Sequence, residues 1–149
     1  MGQARVSPPV YFATTVAAMV LLHLFVPLRS VLVWPWRWAG VLPIAGGLLL
    51  SAWAGRTFLR WKTTVRPGGS PTHLVTEGPF RFSRNPMYLA LVLMLIGLAC
   101  LLGSLGPWLV IPLFVGLINA NVIPMEERKI GEIFGQEYQG YRQRVRRWL

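Results

Sequence analysis

The stretch Thr76-Glu77-Gly78-Pro79-Phe80-Arg81-Phe82-Ser83-Arg84-Asn85-Pro86-Met87-Tyr88 runs without a break into the apolar segment Leu89 to Leu102. A polar, basic, turn-forming block thus abuts a lipid-length run, and the same junction recurs in reverse where Glu126 and Glu127 close the next apolar run. Charge is scarce in this chain. Ionisable groups at such boundaries are costly in a bilayer and mark functional sites.

Hydrophobic residues make up 54% of the 149 and charged ones 13%, against about a quarter charged in soluble domains. Four apolar stretches, Val10 to Val26, Ala39 to Gly55, Met87 to Leu102 and Gly106 to Pro124, each approach the roughly 17–25 residues that cross a hydrocarbon core. Continuous runs, rather than alternating ones, exclude barrel strands. The expected fold is therefore all-α: a single-domain, multi-pass membrane protein over residues 1–149. It has about four transmembrane helices, a helical hairpin and a carboxy-terminal interfacial helix.

Crossing four times places the amino terminus, the Thr57 to Pro86 connection and the tail after Met125 on one side. Only Arg29 and Arg37 lie opposite, and all other Lys and Arg, together with Glu77, Glu126, Glu127, Glu132 and Glu137, share the first side. The positive-inside rule makes that side, with both termini, cytoplasmic. The net charge of +10 reads as orientation and attraction to membrane lipids, not nucleic-acid binding. Trp34, Trp36 and Trp38 fit an outer aromatic belt. The first apolar stretch lacks a small-residue cleavage site and is expected to remain as a helix. Cys100 stands alone, so no internal disulfide or cysteine metal site is expected.

Gly47, Ser51 and Gly55, four residues apart, predict close approach of the third or fourth helix to the second. Gly103, Ser104, Gly106 and Pro107 predict a tight turn that folds the last two crossings into a hairpin. The hairpin brings Arg84, Asn85 and Tyr88 near Glu126 and Glu127. Asn85 before Pro86 has the form of an N-cap followed by a first-turn proline. Such a helix start also offers unpaired N–H groups to an anion. His23 reads as a packed or bonded core histidine. Pro67, Gly68, Gly69, Pro71, Gly78 and Pro79 make the 61–86 connection non-helical, either as plain turns or as backbone facing a pocket. Asn119, seven residues before Glu126, shares its helical face. After Glu127 the steps Ile130, Phe134, Tyr138, Tyr141, Val145 and Trp148, with a cluster of arginines at the end, describe a helix on the headgroup surface; Gly131, Gly135 and Gly140 weaken it.

These pieces, Thr72 to Phe80, Arg84-Asn85-Pro86-Met87-Tyr88, Glu126-Glu127 and Phe134-Gly135-Gln136-Glu137-Tyr138 with Tyr141, Arg144 and Val145, resemble the integral-membrane methyltransferases typified by isoprenylcysteine carboxyl methyltransferase. Phospholipid N-methyltransferases are relatives of that group. The resemblance covers about half the chain, His73 to Val145. It implies S-adenosylmethionine as methyl donor, held at the cytoplasmic side by His73, Gly78, Pro79, Phe80, Arg84, Asn85, Pro86, Tyr88, Glu126, Glu127 and Tyr138. Tyr141 and Arg144 are then expected to contact the substrate, Glu127 to act as base toward an amine, and no metal to take part. The chain departs from the family at Asn85, where His is usual, at Ala90 for Gly, and at Arg146, where the family's Arg-Val-Pro has its proline. Asn hydrogen-bonds but carries no proton.

The donor's chemistry fits these residues in its own right, since a carboxylate, an ammonium and a sulfonium call for a cation or helix start, an acid and an electron-rich ring. The acceptor is expected to be a lipid or a prenylated molecule; no residue pattern selects among prenyl thioethers, aminophospholipids and other amphiphiles, or sets the oligomeric state. Alternative readings are an NADPH-dependent membrane reductase of the sterol reductase type and a non-catalytic membrane subunit.

Overall fold

The computed structural model describes residues 7–26, 28–61 and 72–149. Lys62, Arg66, Pro67, Gly68, Gly69 and Pro71 of the expected connection, with Arg5 and Pro27, lie outside them. The described residues form α1 (Pro8–Phe25), α2 (Val41–Arg60, led in by a 3₁₀ turn at Trp36–Gly40), α3 (Pro86–Leu102), α4 (Leu105–Leu117) and α5 (Ile123–Arg144). A second 3₁₀ turn at Gly78–Arg81 precedes α3, and a π turn at Ile118–Val122 joins α4 to α5. Three continuous helical runs, Pro8–Phe25, Trp36–Arg60 and Leu105–Arg144, are long and apolar enough to cross a membrane, while α3 is apolar over 17 residues, about 25 Å of helix. The all-α membrane fold is as expected.

The hairpin turn is specified locally. Gly103 closes α3 with φ 73°, the left-handed conformation that ends helices at glycine, and its N–H donates to the Ala99 carbonyl at 2.9 Å. Its own carbonyl accepts from Val31 and Leu32 N–H, which stitches the hairpin tip to the α1–α2 connection. His23 Nδ1 lies 2.8 Å from the buried Ser104 hydroxyl, a bonded core histidine as read from the sequence. Trp34, Trp36 and Trp38 stand exposed at this same end.

α2 packs along α3, whereas α1 packs chiefly on α4. Glycines set the first contact. A Cβ on Gly47 would sit 2.6 Å from the Ala90 carbonyl, and one on Gly97 would collide with the Gly40 carbonyl and Ile44. Gly55, expected on this face, has nothing within 4 Å of its Cβ direction, and Ser51 turns to a cavity instead. The main core, Met19, Leu95, Ala99, Ile111, Phe114 and Ile118, lies between α1, α3 and α4. Leu42, Leu49, Leu109 and Leu113 point outward, as apolar side chains do when the solvent is lipid.

The helix expected after Glu127 runs on from the fourth crossing. Pro124 has no N–H to give to a regular α-helical bond, and the wider π turn just before it accommodates that loss. The extra residue of that turn also shifts the helical phase by about 100°. Equivalent positions across it are therefore eight apart rather than seven, and Asn119 comes into register with Glu127, not Glu126. Further on, Gly135 (φ 50°, ψ −119°) interrupts α5 in a conformation open essentially to glycine alone. The chain beyond it carries Tyr138 and Tyr141 onto Leu74, and after Val145 it leaves the helix in extended form.

A candidate active site where α3 meets α5

The start of α3 is fixed by the carboxy-terminal segment. Pro86 occupies the first helical turn and is fully buried. The Asn85 side chain does not cap the helix as expected. Its φ of −130° and ψ of 54° aim it elsewhere, and Nδ2 donates to the Arg147 carbonyl at 3.1 Å. Ser83 Oγ donates to the same carbonyl at 3.3 Å and accepts from Asn85 N–H at 3.1 Å, and Arg84 N–H donates to the Arg146 carbonyl at 3.0 Å. Position 146 contributes only a backbone carbonyl here, which explains why arginine stands there as well as the proline usual in the resembled family.

The twin acids are divided between different partners. Glu127 Oε1 lies 3.1 Å from Arg84 Nη1. Arg147 grips the same carboxylate with both prongs, Nε to Oε1 at 3.2 Å and Nη2 to Oε2 at 2.6 Å. Its Nη1 donates to Asn119 Oδ1 at 3.1 Å. Such forked contacts are among the strongest polar interactions in proteins. Hydrogen bonding to Glu127 pushes the Arg147 pKa above its ordinary value against the opposing effect of burial. Glu126 instead accepts the Tyr88 hydroxyl at 2.9 Å. Arg84 Nη1 also donates to Tyr138 Oη at 3.3 Å, while its Nε is buried with no partner among the described residues. The Arg84 side chain is only 9% exposed. Orphaned donors on a buried cation are rare and call for explanation.

Arg84, Tyr88, Glu126, Glu127 and Tyr138 face a cavity of about 440 Å³, within the range of small-molecule sites. Its polar end is Arg84, Asn85, Tyr88, Glu126 and Glu127. Its walls are apolar, with Phe12 of α1, Phe58 of α2, Met87 and Leu91 of α3, and Ile130 and Phe134 of α5. Pro8 and Pro9 of α1 and Ser51 of α2 extend it between those two helices, which pack on the α3–α4 pair rather than along each other.

Of the residues expected at a donor site, His73, Phe80, Arg84, Asn85, Pro86, Tyr88, Glu126, Glu127 and Tyr138 line this cavity, as does Tyr141. His73 stacks on Trp61 with centroids 4.2 Å apart, and the Tyr141 hydroxyl donates to the Phe80 carbonyl at 2.7 Å. Gly78, Pro79 and Arg144 do not line it. A Cβ on Gly78 would come within 2.8 Å of Thr57 Oγ1, so its φ of 58° allows approach to α2. Pro79 is buried, and its carbonyl accepts from Phe82 and Ser83 N–H. Arg144 is exposed and bonds the Gly140 carbonyl of its own helix.

Sequence reasoning missed Arg147 as part of this network, placing it with the surface arginines. No spacing signal reveals a contact that depends on the Gly135 interruption and on the extended turn at Val145.

The model of the phospholipid methyltransferase family matches residues 36–137. That span includes Arg84, Tyr88 and both acids and leaves Tyr138, Tyr141 and Arg147 beyond it. An uncharacterized protein of Haemophilus influenzae is 43% identical over 63 residues, 42% of this chain and the whole of that protein. No solved structure matches. With more than half its length matched, and with a buried ionic site at the end of a membrane hairpin, the chain belongs to the phospholipid methyltransferase family and is a membrane methyltransferase acting on a lipid-type substrate.

Proposed function

We propose that the protein transfers a methyl group from S-adenosylmethionine to an amphiphile whose head enters the cavity from the cytoplasmic interface while its chain stays in the bilayer. The observation that carries this reading is that a buried guanidinium, Arg84, and the carboxylate of Glu126, held by the Tyr88 hydroxyl, line one cavity. A zwitterionic amino-acid group needs that pairing: a buried N–H donor for its carboxylate and a carboxylate for its ammonium. When bound, the donor supplies an electrophilic methyl on a sulfonium. The chain's residues do the rest by binding and orientation.

In this reading Arg84 holds the donor carboxylate and Glu126, oriented by Tyr88, faces the cationic centre. The rings of Tyr88 and Tyr138 offer electron-rich faces, and the walls of Phe58, Leu91 and Phe134 exclude water, which favours a reaction that neutralises or spreads charge. Both oxygens of Glu127 already accept from guanidinium groups. Glu127 is therefore assigned to holding Arg84 in place rather than to taking the proton of an amine acceptor. His73, Phe80, Asn85 and Pro86 complete the donor site and Tyr141 borders the acceptor, whereas Gly78, Pro79 and Arg144 stay outside it. Either a prenylated or an aminophospholipid head suits the cavity.

Incubating the purified protein with membrane lipid extract and methyl-labelled donor tests this. Labelled lipid is expected, with incorporation falling at least about tenfold, or about 1.4 kcal/mol, in Glu126→Gln. Binding of NADPH in place of the methyl donor, or no labelled lipid from folded protein that binds the donor, would reject the reading.

A further inference from the structure

The carboxy-terminal segment contributes more than a lid to the fold. Arg147 spends three separate N–H groups on two side chains, the Glu127 carboxylate and the Asn119 amide oxygen, and its carbonyl takes both Asn85 and Ser83. One residue therefore ties the π turn, the acid pair and the turn before α3 together. Glu127, so held, makes its remaining contact with Arg84 Nη1, and Arg84 itself lines the cavity.

We propose that Arg147 is a positioning residue that acts through Glu127 to hold the Arg84 guanidinium at the cavity for the carboxylate of the methyl donor, so that it governs affinity for that carboxylate without touching the ligand. This rests on the donor reading above. The fork geometry is the reason the residue is arginine: a lysine at 147 supplies the charge but not two parallel N–H bonds to a carboxylate together with a third to Asn119. A mere counter-charge predicts that lysine suffices. The side chain is 30% exposed, which leaves its place open to a small solute from water.

Calorimetry on the full chain in detergent tests this with two ligands, S-adenosylhomocysteine, which carries the carboxylate, and 5′-methylthioadenosine, which lacks it. Arg147→Ala is expected to lose about tenfold in affinity for the first, the scale of one charge-assisted contact, and nothing for the second. Millimolar methylguanidinium is expected to restore the loss, and methylammonium is not. Arg147→Lys, which keeps the charge should the alanine variant fold poorly, is expected to show the same ligand selectivity with a smaller loss. Unchanged homocysteine-ligand affinity in both variants, or equal weakening of both ligands, overturns the positioning role. If the unmodified protein binds neither ligand, the donor reading fails and takes this proposal with it.

Discussion

Glu127→Ala is expected to abolish measurable binding of S-adenosylhomocysteine and to lower the stability of the protein by about 3–5 kcal/mol, the cost of removing one partner from a buried ion pair. The reason is the arrangement left behind. Arg84, 9% exposed, would keep its charge with no counter-ion, and Arg147 would lose the carboxylate that both its prongs hold. Most of the penalty falls on Arg84, since Arg147 is partly hydrated and screened. Stability and binding separate in the double variant Arg84→Leu/Glu127→Leu. Replacing a buried pair by apolar side chains of similar size is often neutral or stabilising, so its thermal midpoint is expected to recover while ligand binding stays lost. An unchanged ligand affinity in Glu127→Gln would remove the acid from the site.

Gly97→Leu is expected to be the most disruptive change outside the site. A Cβ at 97 would meet the Gly40 carbonyl backbone and lie 2.5 Å from Ile44 Cγ1; neither the carbonyl nor the helix carrying it can move without opening the α2–α3 contact. Overpacking of a side chain costs about 1–3 kcal/mol, and backbone opposing backbone puts this case at or above the upper end. That corresponds to about 6–12 °C in a chain of this size. Gly46→Ala supplies the control within the same helix pair, because nothing lies within 4 Å of its Cβ direction, and its thermal midpoint should hold or rise slightly. Equal midpoints for Gly97→Leu and the unmodified protein in detergent would contradict the close helix approach.

The helical hairpin and the meeting of its ends were legible because they follow from one-dimensional features. Apolar run length fixes the crossings, glycine at 103 fixes the turn, and two antiparallel helices of similar length must bring Arg84 and Tyr88 opposite Glu126 and Glu127. What escaped the sequence depends on local departures from helical regularity. The π turn before Pro124 moves Asn119 into phase with Glu127, which a constant period of 3.6 cannot show. The interruption at Gly135 sends the tail back across the site, so that a residue read as a surface charge becomes the clasp of the ionic network. Asn85 looked like a cap because Asn-Pro often is one, but its side chain has a better acceptor in the Arg147 carbonyl. Of the small residues spaced along α2, Gly47 meets α3 and Gly55 faces open space, since periodicity identifies a face and only packing says how far along it the neighbour extends.

The central claim is that the methyl donor sits where α3 and α5 converge. Ultraviolet photolabelling of the purified protein with methyl-labelled S-adenosylmethionine, followed by peptide mapping, tests it most directly. The label is expected in peptides spanning 84–91 or 126–141, and to be displaced by S-adenosylhomocysteine. Displaceable label at the other end of the bundle, in residues 28–40 or 103–110, would contradict it.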